Sequence, residues 1–264
     1  MSNLITAILH ALQPWTYHLL FGSILFFILH KYGVSHIQPW FFAKIYNPWL
    51  TIYHVKLRSM KQKHFDSMKN HVSADPILRK KGAIRILEIG PGPGFNFEFY
   101  PAKSELTVVE VNPFFEEQFF KKQAEHPHIK MDRFVVGFAE DMKDVPDNSV
   151  DIVVSTMVLC SVRSIDKALQ EVYRVLAPGG KYYYWEHIRE YQYSWVLFFQ
   201  HLLSLTIHRY LFRCSLTNRS DELIKANKCG FSNVEQQRFR TPLGPGIDKL
   251  AIFHSAHAKG IATK

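Results

Sequence analysis

The stretch Arg85-Ile-Leu-Glu-Ile-Gly-Pro-Gly-Pro-Gly-Phe95 constrains the fold of this chain more than any other. It opens with a short apolar run, Ile84 to Ile89, whose length and β-branched content predict a buried strand. Three glycines separated by prolines follow. Glycine allows positive φ and close backbone approach to a ligand, while proline fixes φ and removes an N–H donor. A helix is expected to start at Phe95. Strand, loop and helix together predict a nucleotide-type site in a doubly wound α/β sheet.

The residues around the glycines narrow the ligand class. Phe95 stands where a dinucleotide fingerprint has its last glycine, and no Gly-Lys-Ser/Thr follows, so a P-loop is excluded. Glu88, two residues before the first glycine, repels pyrophosphate but suits a cation such as S-adenosylmethionine. Glu110, at the end of a second predicted strand, has the spacing at which such folds bind ribose hydroxyls. A purely structural turn is the alternative interpretation.

Further motifs follow in order: Gly137-Phe-Ala-Glu-Asp-Met142, Ser149-Val-Asp-Ile-Val-Val-Ser-Thr156 and Val175-Leu-Ala-Pro-Gly-Gly-Lys181. With them, residues 84 to 190 resemble the class I S-adenosylmethionine-dependent methyltransferases. Within that superfamily, Val158-Leu-Cys-Ser-Val162, Glu186-His187 and Cys214-Ser-Leu-Thr217 are similar to a narrower group, together with Phe134-Val-Val and Ala139-Glu-Asp-Met. That group is the membrane-associated methyltransferase-like proteins, which methylate thiols on the endoplasmic reticulum and lipid droplets.

The resemblance implies an α/β, Rossmann-like sheet of seven strands with helices on both faces, preceded by a membrane-anchoring helix. Strands are expected at Ile84–Ile89, Leu106–Val111, Arg133–Val136, Val150–Ser155, Lys181–Glu186, Phe231–Gln236 and Leu250–His254, the last two pairing antiparallel. The cofactor implied is S-adenosyl-L-methionine. The residues that the resemblance assigns to its binding are Glu88, Gly90, Gly92, Gly94, Glu110, Asn112, Phe138, Ala139, Glu140, Thr156 and Leu159.

Two positions of the expected site are special. Many relatives have Asp where this chain has Phe138, so stacking or contacts from Ala139 and Glu140 must replace a hydrogen bond to the adenine amine. His187 is the candidate for contacting the acceptor. A thiol acceptor, with a pKa near 8.5, is partly ionised at neutral pH and needs no dedicated base. No metal-ligand set is evident in the sequence, and the three separated cysteines predict a reducing compartment, with Cys160 as a small core residue.

The N-terminal segment, residues 1–53, predicts a membrane anchor. Leu4 to Leu29 contains no charged residue, and the run is long enough to span a bilayer. It lacks the basic start and cleavage site of a signal peptide. Pro14 leaves a monotopic hairpin open as an alternative to a spanning helix. Aromatic residues between 36 and 53 predict an interfacial collar, with ordinary packing on the domain as the alternative.

A basic linker, residues 54–82, follows the anchor, and residues 83–264 are the expected methyltransferase domain. Between Lys56 and Arg85 nine basic residues face Asp66 and Asp75, so this stretch supplies +7 of the net charge of +9. Such charge beside an apolar segment is typical of contact with anionic lipid and places the domain in the cytosol. Nucleic-acid binding is not expected, because no nucleic-acid module surrounds these residues.

An apolar, aromatic insertion, residues 191–222, lies after the fifth predicted strand and suits a lid over a lipophilic acceptor, or a helix packed on the sheet. The chain is therefore predicted to be a membrane-anchored methyltransferase of a small lipophilic acceptor, most simply a thiol. We expect it at the endoplasmic reticulum membrane or the lipid droplet surface. A quinone, phenol or lipid methyltransferase, and a non-catalytic surface protein using the fold as a scaffold, remain alternatives. The sequence leaves the oligomeric state open.

Overall fold

Seven strands form one mixed sheet in the computed structural model, which describes residue 23 and residues 37–205, 208–241 and 251–264. The strand order is β3-β2-β1-β4-β5-β7-β6. Strands β1 to β5 are parallel, and β7 lies antiparallel between β5 and β6. The strands are β1 (Ile84–Ile89), β2 (Ser104–Glu110), β3 (Ile129–Val136), β4 (Val150–Thr156), β5 (Leu176–His187), β6 (Asn233–Arg240) and β7 (Ala256–Thr263). The order reverses between β1 and β4, where ligands bind in open α/β sheets.

Helices cover both faces of the sheet and bury two apolar clusters, one on each side. The α-helices are α1 (Gln38–Phe41), α2 (Asn47–Phe65), α3 (Pro76–Lys81), α4 (Glu116–Gln123), α5 (Ile165–Val175), α6 (Ser194–Leu205) and α7 (Ser220–Ala226). Helix α5 has the sequence features that predict a helix. Ser164 caps its first turn, and four apolar residues face the core at helical spacing: Ala168, Leu169, Val172 and Val175. This arrangement confirms the predicted Rossmann-like sheet.

The first five strands lie where the sequence predicts them, and the sixth, Asn233–Arg240, overlaps the predicted Phe231–Gln236. The predicted antiparallel pairing of the last two strands is confirmed. The predicted position of the seventh strand is wrong, because residues 251–254 form a 3₁₀ turn and the strand begins at Ala256. Strand β7 contains three alanines and a glycine, which have low strand propensity. Gly260 has no side chain because the Tyr184 hydroxyl occupies that space, 2.2 Å from where a Cβ would lie. Tertiary packing therefore outweighs propensity at this strand.

The helix expected after the glycine loop is also wrong. Only a 3₁₀ turn, Phe97–Phe99, forms there. Pro101 follows directly and cannot continue a helix, and it disfavours helical φ/ψ at Tyr100. Phe97 and Phe99 are buried under the sheet, so core packing sets the path of this segment.

A nearly continuous helical run precedes the sheet, made of α1, a π-helical segment (Phe42–Tyr46) and α2. It packs on the sheet domain: the Asn112 side chain donates to Pro39 O at 2.9 Å and the Gln118 side chain to Ala43 O at 3.1 Å. Trp40 remains about half exposed. One face of this segment therefore packs on the domain, which was the alternative to an interfacial collar. Another face leaves aromatic and aliphatic side chains exposed.

Of the expected membrane anchor, residues 1–53, residues 1–22 and 24–36 lie outside the described residues. Among the residues that are described, no helix has the length and apolar character needed to cross a bilayer. Part of the basic linker packs on the domain: Lys61 is buried, and Arg58 pairs with Glu98, whereas Lys69 pairs with Asp66 within the linker.

Candidate functional site

The glycine loop after β1 is a tight turn that requires residues without side chains. Gly90, Gly92 and Gly94 all have positive φ, between 54° and 88°. The Gly90 N–H donates to Val109 O at 2.8 Å, which ties the loop to the end of β2. A Cβ on Gly94 would lie 2.2 Å from the Phe97 ring, and one on Gly90 would lie 2.7 Å from Val158. The loop path thus depends on glycine at these positions.

Glu110 lies at the end of β2 and is buried against this loop. Its two carboxylate oxygens accept the N–H groups of Gly92 at 3.0 Å and Asn112 at 2.8 Å. Burial raises the pKa of Glu110, while these backbone hydrogen bonds act in the opposite direction. Each oxygen keeps acceptor capacity beyond the bond that it makes. The carboxylate therefore holds the loop in place and is still able to accept hydroxyl donors from a ligand.

Glu88 is the second buried carboxylate at the loop. The Asn96 side chain donates to its Oε1 at 2.7 Å and to Thr156 Oγ1 at 3.0 Å. Glu88 Oε2, Asn96 Oδ1 and the Tyr100 hydroxyl are buried without hydrogen-bond partners in the part of the chain that the structure describes. Burial raises the pKa of Glu88 to about 7, although the neighbouring polar side chains of Tyr100 and Asn96 act to lower it. Unpartnered buried polar atoms are unusual in folded proteins, and here they lie together at the expected ligand site.

Helix α2 crosses this region with a buried lysine. Lys61 Nζ lies 3.2 Å from His54 Nδ1, and the His54 ring stacks on Phe95 with 3.9 Å between ring centroids. Burial lowers the pKa of Lys61 to about 7, although the nearby Glu88 and Glu98 carboxylates act to raise it. The helix therefore forms a cover over the loop. Lys61 was missed by sequence reasoning, because it is one of nine basic residues with no feature that distinguishes it.

The remaining predicted cofactor residues divide into two groups. Asn112 lies with Glu110, and its Oδ1 accepts the Phe114 N–H at 3.1 Å. Gly137, at the end of β3, donates its N–H to Glu110 O at 3.0 Å, which brings the following residues, Phe138 and Ala139, to the same edge. Ala139 is buried, whereas Phe138 is 41% exposed.

Glu140 and Leu159, two further predicted cofactor residues, make contacts within the protein. The Glu140 carboxylate accepts the N–H groups of Arg163 and Ser164 at the start of α5. The Arg163 guanidinium lies 4.4 Å from the centre of the Phe138 ring. Leu159 is fully buried in the apolar cluster. The contact of these two residues with the cofactor stays a prediction.

The loop after β4 is organised by Glu186, a buried carboxylate in β5. Its Oε1 accepts the Ser155 hydroxyl at 2.6 Å, and its Oε2 accepts the N–H groups of Val158 at 2.8 Å and Leu159 at 3.0 Å. Burial raises the pKa of Glu186 to about 8. Met157, between them, has φ +57°, which is unfavourable for a residue with a side chain. Glu186 thus keeps the loop next to Thr156 in one conformation. The only sequence signal for this role is that an acidic residue stands at the end of an apolar strand.

His187, the predicted acceptor contact, lies at the end of β5 beside two cysteines. Its Nε2 is 2.9 Å from Cys214 Sγ, and the ligand atoms of Cys160, His187 and Cys214 all lie within 4.8 Å of one another. Hydrogen bonding from Cys214 lowers the pKa of the Cys160 thiol, and Cys160 in turn raises the pKa of Cys214. Burial alone would lower the pKa of His187, but the neighbouring Cys160 and Glu186 charges raise it. Cys160 is buried, as predicted, but it belongs to a cluster of potential metal ligands that the sequence spacing did not indicate.

The loop residues fit S-adenosylmethionine better than a pyrophosphate-containing nucleotide. The two buried carboxylates, Glu88 and Glu110, would repel a phosphate and attract a sulfonium and an ammonium. Glu88 Oε2 and Asn96 Oδ1 are unpartnered acceptors for such a cation. Glu110 is placed to accept ribose hydroxyls, and the glycine backbone to approach the amino-acid portion.

Comparison with known proteins agrees with this chemistry. Residues 87–184 match the methyltransferase domain family. The chain is 36% identical over 192 residues to thiol S-methyltransferase TMT1A of Homo sapiens, covering 73% of this chain and 75% of the relative. It is 38% identical over 202 residues to human thiol S-methyltransferase TMT1B, covering 75% and 80%. A SAM-dependent methyltransferase from Thermotoga maritima has the same fold, with a TM-score of 0.54 and 20% identity over 84% of this chain and 97% of that one.

Proposed function

Since this chain belongs to the class I S-adenosylmethionine-dependent methyltransferases, in the family that includes the human thiol S-methyltransferases TMT1A and TMT1B, we propose that it methylates the sulfur of small lipophilic thiols. The enzyme class and its cofactor, S-adenosyl-L-methionine, follow from that membership. The choice of a thiol rests on the relatives' activity and on the acceptor side of the site, which carries soft sulfur and imidazole groups.

The observation that carries the proposal is the pair of buried carboxylates around the glycine loop. S-adenosylmethionine supplies a methyl group on a positively charged sulfur, already activated for displacement. Glu88 and Asn96 offer acceptors to its cationic portion, and Glu110 offers acceptors to the ribose. Helix α2 covers the loop and limits the access of water. The protein therefore has to position the methyl donor and the acceptor in line and to exclude water, which displacement at carbon requires.

The acceptor side of the site is bounded by the ends of β4 and β5. Thr156 contacts Asn96, and Glu186 fixes residues 157–159, so the wall next to the expected methyl position is rigid. His187 and the two cysteines form the neighbouring surface. Helix α6, in the predicted lid, exposes an apolar face on which Trp195, Phe198 and Leu205 are more than half exposed. These features favour an acceptor that partitions from lipid.

A methyl-transfer assay with an alkyl thiol, a phenol and a quinol side by side tests the acceptor. The full chain should methylate the thiol with a kcat/KM well above that for either oxygen acceptor. Glu110→Ala, which removes the carboxylate from the loop, should raise the KM for S-adenosylmethionine by about tenfold or more in the thiol assay. A preference for the phenol or the quinol would reject S-methylation and support the corresponding oxygen or carbon methyltransferase.

We further propose that the protein is anchored in the endoplasmic reticulum membrane or on the lipid droplet surface, with the catalytic domain facing the cytosol. The charge-free run from Leu4 to Leu29 and the basic residues after it support this. Because α1 and α2 pack on the domain, a truncation should end at residue 36 and leave residues 37–264 intact. Removing residues 1–36 should shift the protein to the soluble fraction with S-adenosylmethionine binding unchanged. A truncated protein that still sediments with membranes would locate the attachment elsewhere, for example on α6.

A further inference from the structure

Three potential metal ligands converge at one end of the sheet. Cys160 follows β4, His187 ends β5, and Cys214 follows a π-helical segment, His208–Phe212. His187 is 27 residues from Cys160 and 27 residues from Cys214 in the sequence, yet the ligand atoms of all three lie within 4.8 Å of one another. We propose that Cys160, His187 and Cys214 bind a divalent metal ion of the zinc class, leaving one coordination position for the acceptor thiol.

The backbone brings these ligands together by specific contacts. Ser215 donates its N–H to Cys160 O at 2.9 Å, which fixes the segment carrying Cys214 against the loop after β4. The Asn218 side chain donates to His187 O, which ties the same segment to the end of β5. Three separate elements are therefore held in register around one point. Simple burial of two cysteines would not require such cross-connections.

The ligand set and spacing suit zinc. Two thiolates and one imidazole form a soft, nitrogen-and-sulfur site, and three protein ligands with an open position are typical of catalytic zinc. Bond lengths of about 2.3 Å to sulfur and 2.0–2.1 Å to nitrogen, in tetrahedral geometry, require ligand separations of about 3.6–3.8 Å. His187 Nε2 lies 2.9 Å from Cys214 Sγ, and no pair of the three ligand atoms is more than 4.8 Å apart. Movements of about 1 Å would bring these atoms to the separations that zinc requires.

Cys214 is the outermost of the three ligands. Cys160 and His187 are buried, whereas Cys214 is partly exposed, so an acceptor would have to approach past Cys214. On the opposite side, Cys160 Sγ lies 3.6 Å from Met157 O, in the loop that follows Thr156. The metal would therefore lie between the protein surface and the expected position of the transferred methyl group.

A metal at this place would deprotonate the acceptor thiol before methylation. This part of the inference rests on the proposed function. A thiol that binds the open position loses its proton to solvent, because zinc coordination deprotonates thiols. The bound thiolate donates an electron pair to the methyl carbon, forming a carbon–sulfur bond. The bond between that carbon and the sulfonium breaks, and its electron pair stays on the donor sulfur. The product thioether is uncharged and a weaker ligand, so it dissociates.

The first test measures metal binding on the full chain, without reference to activity. Protein purified under reducing conditions should contain stoichiometric zinc. Replacement by Co²⁺ should produce thiolate-to-cobalt charge-transfer absorption in the near ultraviolet. Cys214→Ser should weaken Co²⁺ binding by about 100-fold or more, since loss of outer partners alone costs 10–100-fold. Cys229→Ser, which changes a cysteine outside the cluster, is the matched control and should bind Co²⁺ normally.

A second measurement avoids variants that fold poorly. Zn²⁺ added to metal-free wild-type protein should protect Cys214, the partly exposed ligand, from alkylation, as read by mass spectrometry, and leave Cys229 reactive. Equal alkylation of Cys214 with and without Zn²⁺, or a disulfide between Cys160 and Cys214 that forms in place of metal binding, would overturn the metal site.

The acceptor step has its own readout. An alkyl thiol should change the visible absorption of the cobalt-loaded protein, while a phenol should not, and removal of zinc should slow thiol methylation. An unchanged spectrum would mean that the fourth position is closed and would overturn thiol coordination. Intact thiol methylation without any metal binding would overturn the metal site only. An intact cobalt spectrum in a protein that does not methylate thiols would instead reject the proposed function.

Discussion

Replacing Glu88 by glutamine should make the protein more stable and, at the same time, a weaker binder of S-adenosylmethionine. Glu88 is almost completely buried, and burial raises its pKa from 4.5 to about 7. A carboxyl group whose pKa is raised in the folded state destabilises that state once the pH exceeds the unfolded value, and the penalty is complete above the folded value. Glutamine has the same shape and carries no charge, so it avoids this penalty.

The size of the effect follows from the pKa shift. With a shift of 2.5 units at 1.36 kcal/mol each, the penalty is about 3 kcal/mol at pH 8 and below about 1 kcal/mol at pH 5. Part of the gain is offset, because Lys61 loses the attraction of the Glu88 carboxylate. We therefore expect Glu88→Gln to raise the free energy of unfolding by about 1–3 kcal/mol at pH 8 and by much less at pH 5.

Equilibrium urea unfolding at the two pH values, followed by circular dichroism, measures this difference. Titration calorimetry with S-adenosylmethionine measures the loss of affinity that should accompany it. Glu125→Gln, at an exposed carboxylate paired with Lys122, is the control and should change neither quantity. A Glu88→Gln protein that is less stable at pH 8, or that binds the cofactor with unchanged affinity, would refute the assignment of Glu88 as a buried, charged cofactor residue.

Three further predictions concern the same region. Glu110→Ala should weaken S-adenosylmethionine binding by at least tenfold in calorimetry, because charged hydrogen bonds contribute about 1.5–3 kcal/mol each; unchanged affinity would remove Glu110 from the site. Lys61→Met should raise the free energy of unfolding, by about 2–3 kcal/mol more at pH 6 than at pH 9. The sign follows because the pKa of Lys61 falls from 10.5 to about 7 in the folded state, so the cost of its charge is fully present only below about pH 7; an effect independent of pH would show that Lys61 is solvated. Gly94→Ala should cost about 2–4 kcal/mol in thermal unfolding, because positive φ is combined with contact to Phe97. Gly179→Ala, with φ +77° and no atom within 4 Å of the new Cβ, should cost only about 1–2 kcal/mol, and equal losses at both positions would contradict the steric explanation.

The sequence was sufficient for the parts of the site that lie on one strand and the loop after it. Strand β1, the glycines and Glu110 are recognisable because each depends on local chemistry: positive φ, a buried apolar run and a carboxylate at a strand end. Local chemistry did not predict the position of β7, where Gly260 leaves room for the Tyr184 hydroxyl of the neighbouring strand. The prediction of a helix after the loop was wrong because the burial of Phe97 and Phe99 in the core sets the path of the backbone there.

The amino-acid sequence by itself determined the sheet, the cofactor class and the family, since these depend on patterns within short segments. Only the tertiary structure decided which side chains share a space. It placed Lys61 next to Glu88 and not at a lipid surface, and it brought Cys160, His187 and Cys214 together across 54 residues. Such neighbours are set by how distant elements pack, and packing leaves no periodicity or spacing in the chain that could reveal them beforehand.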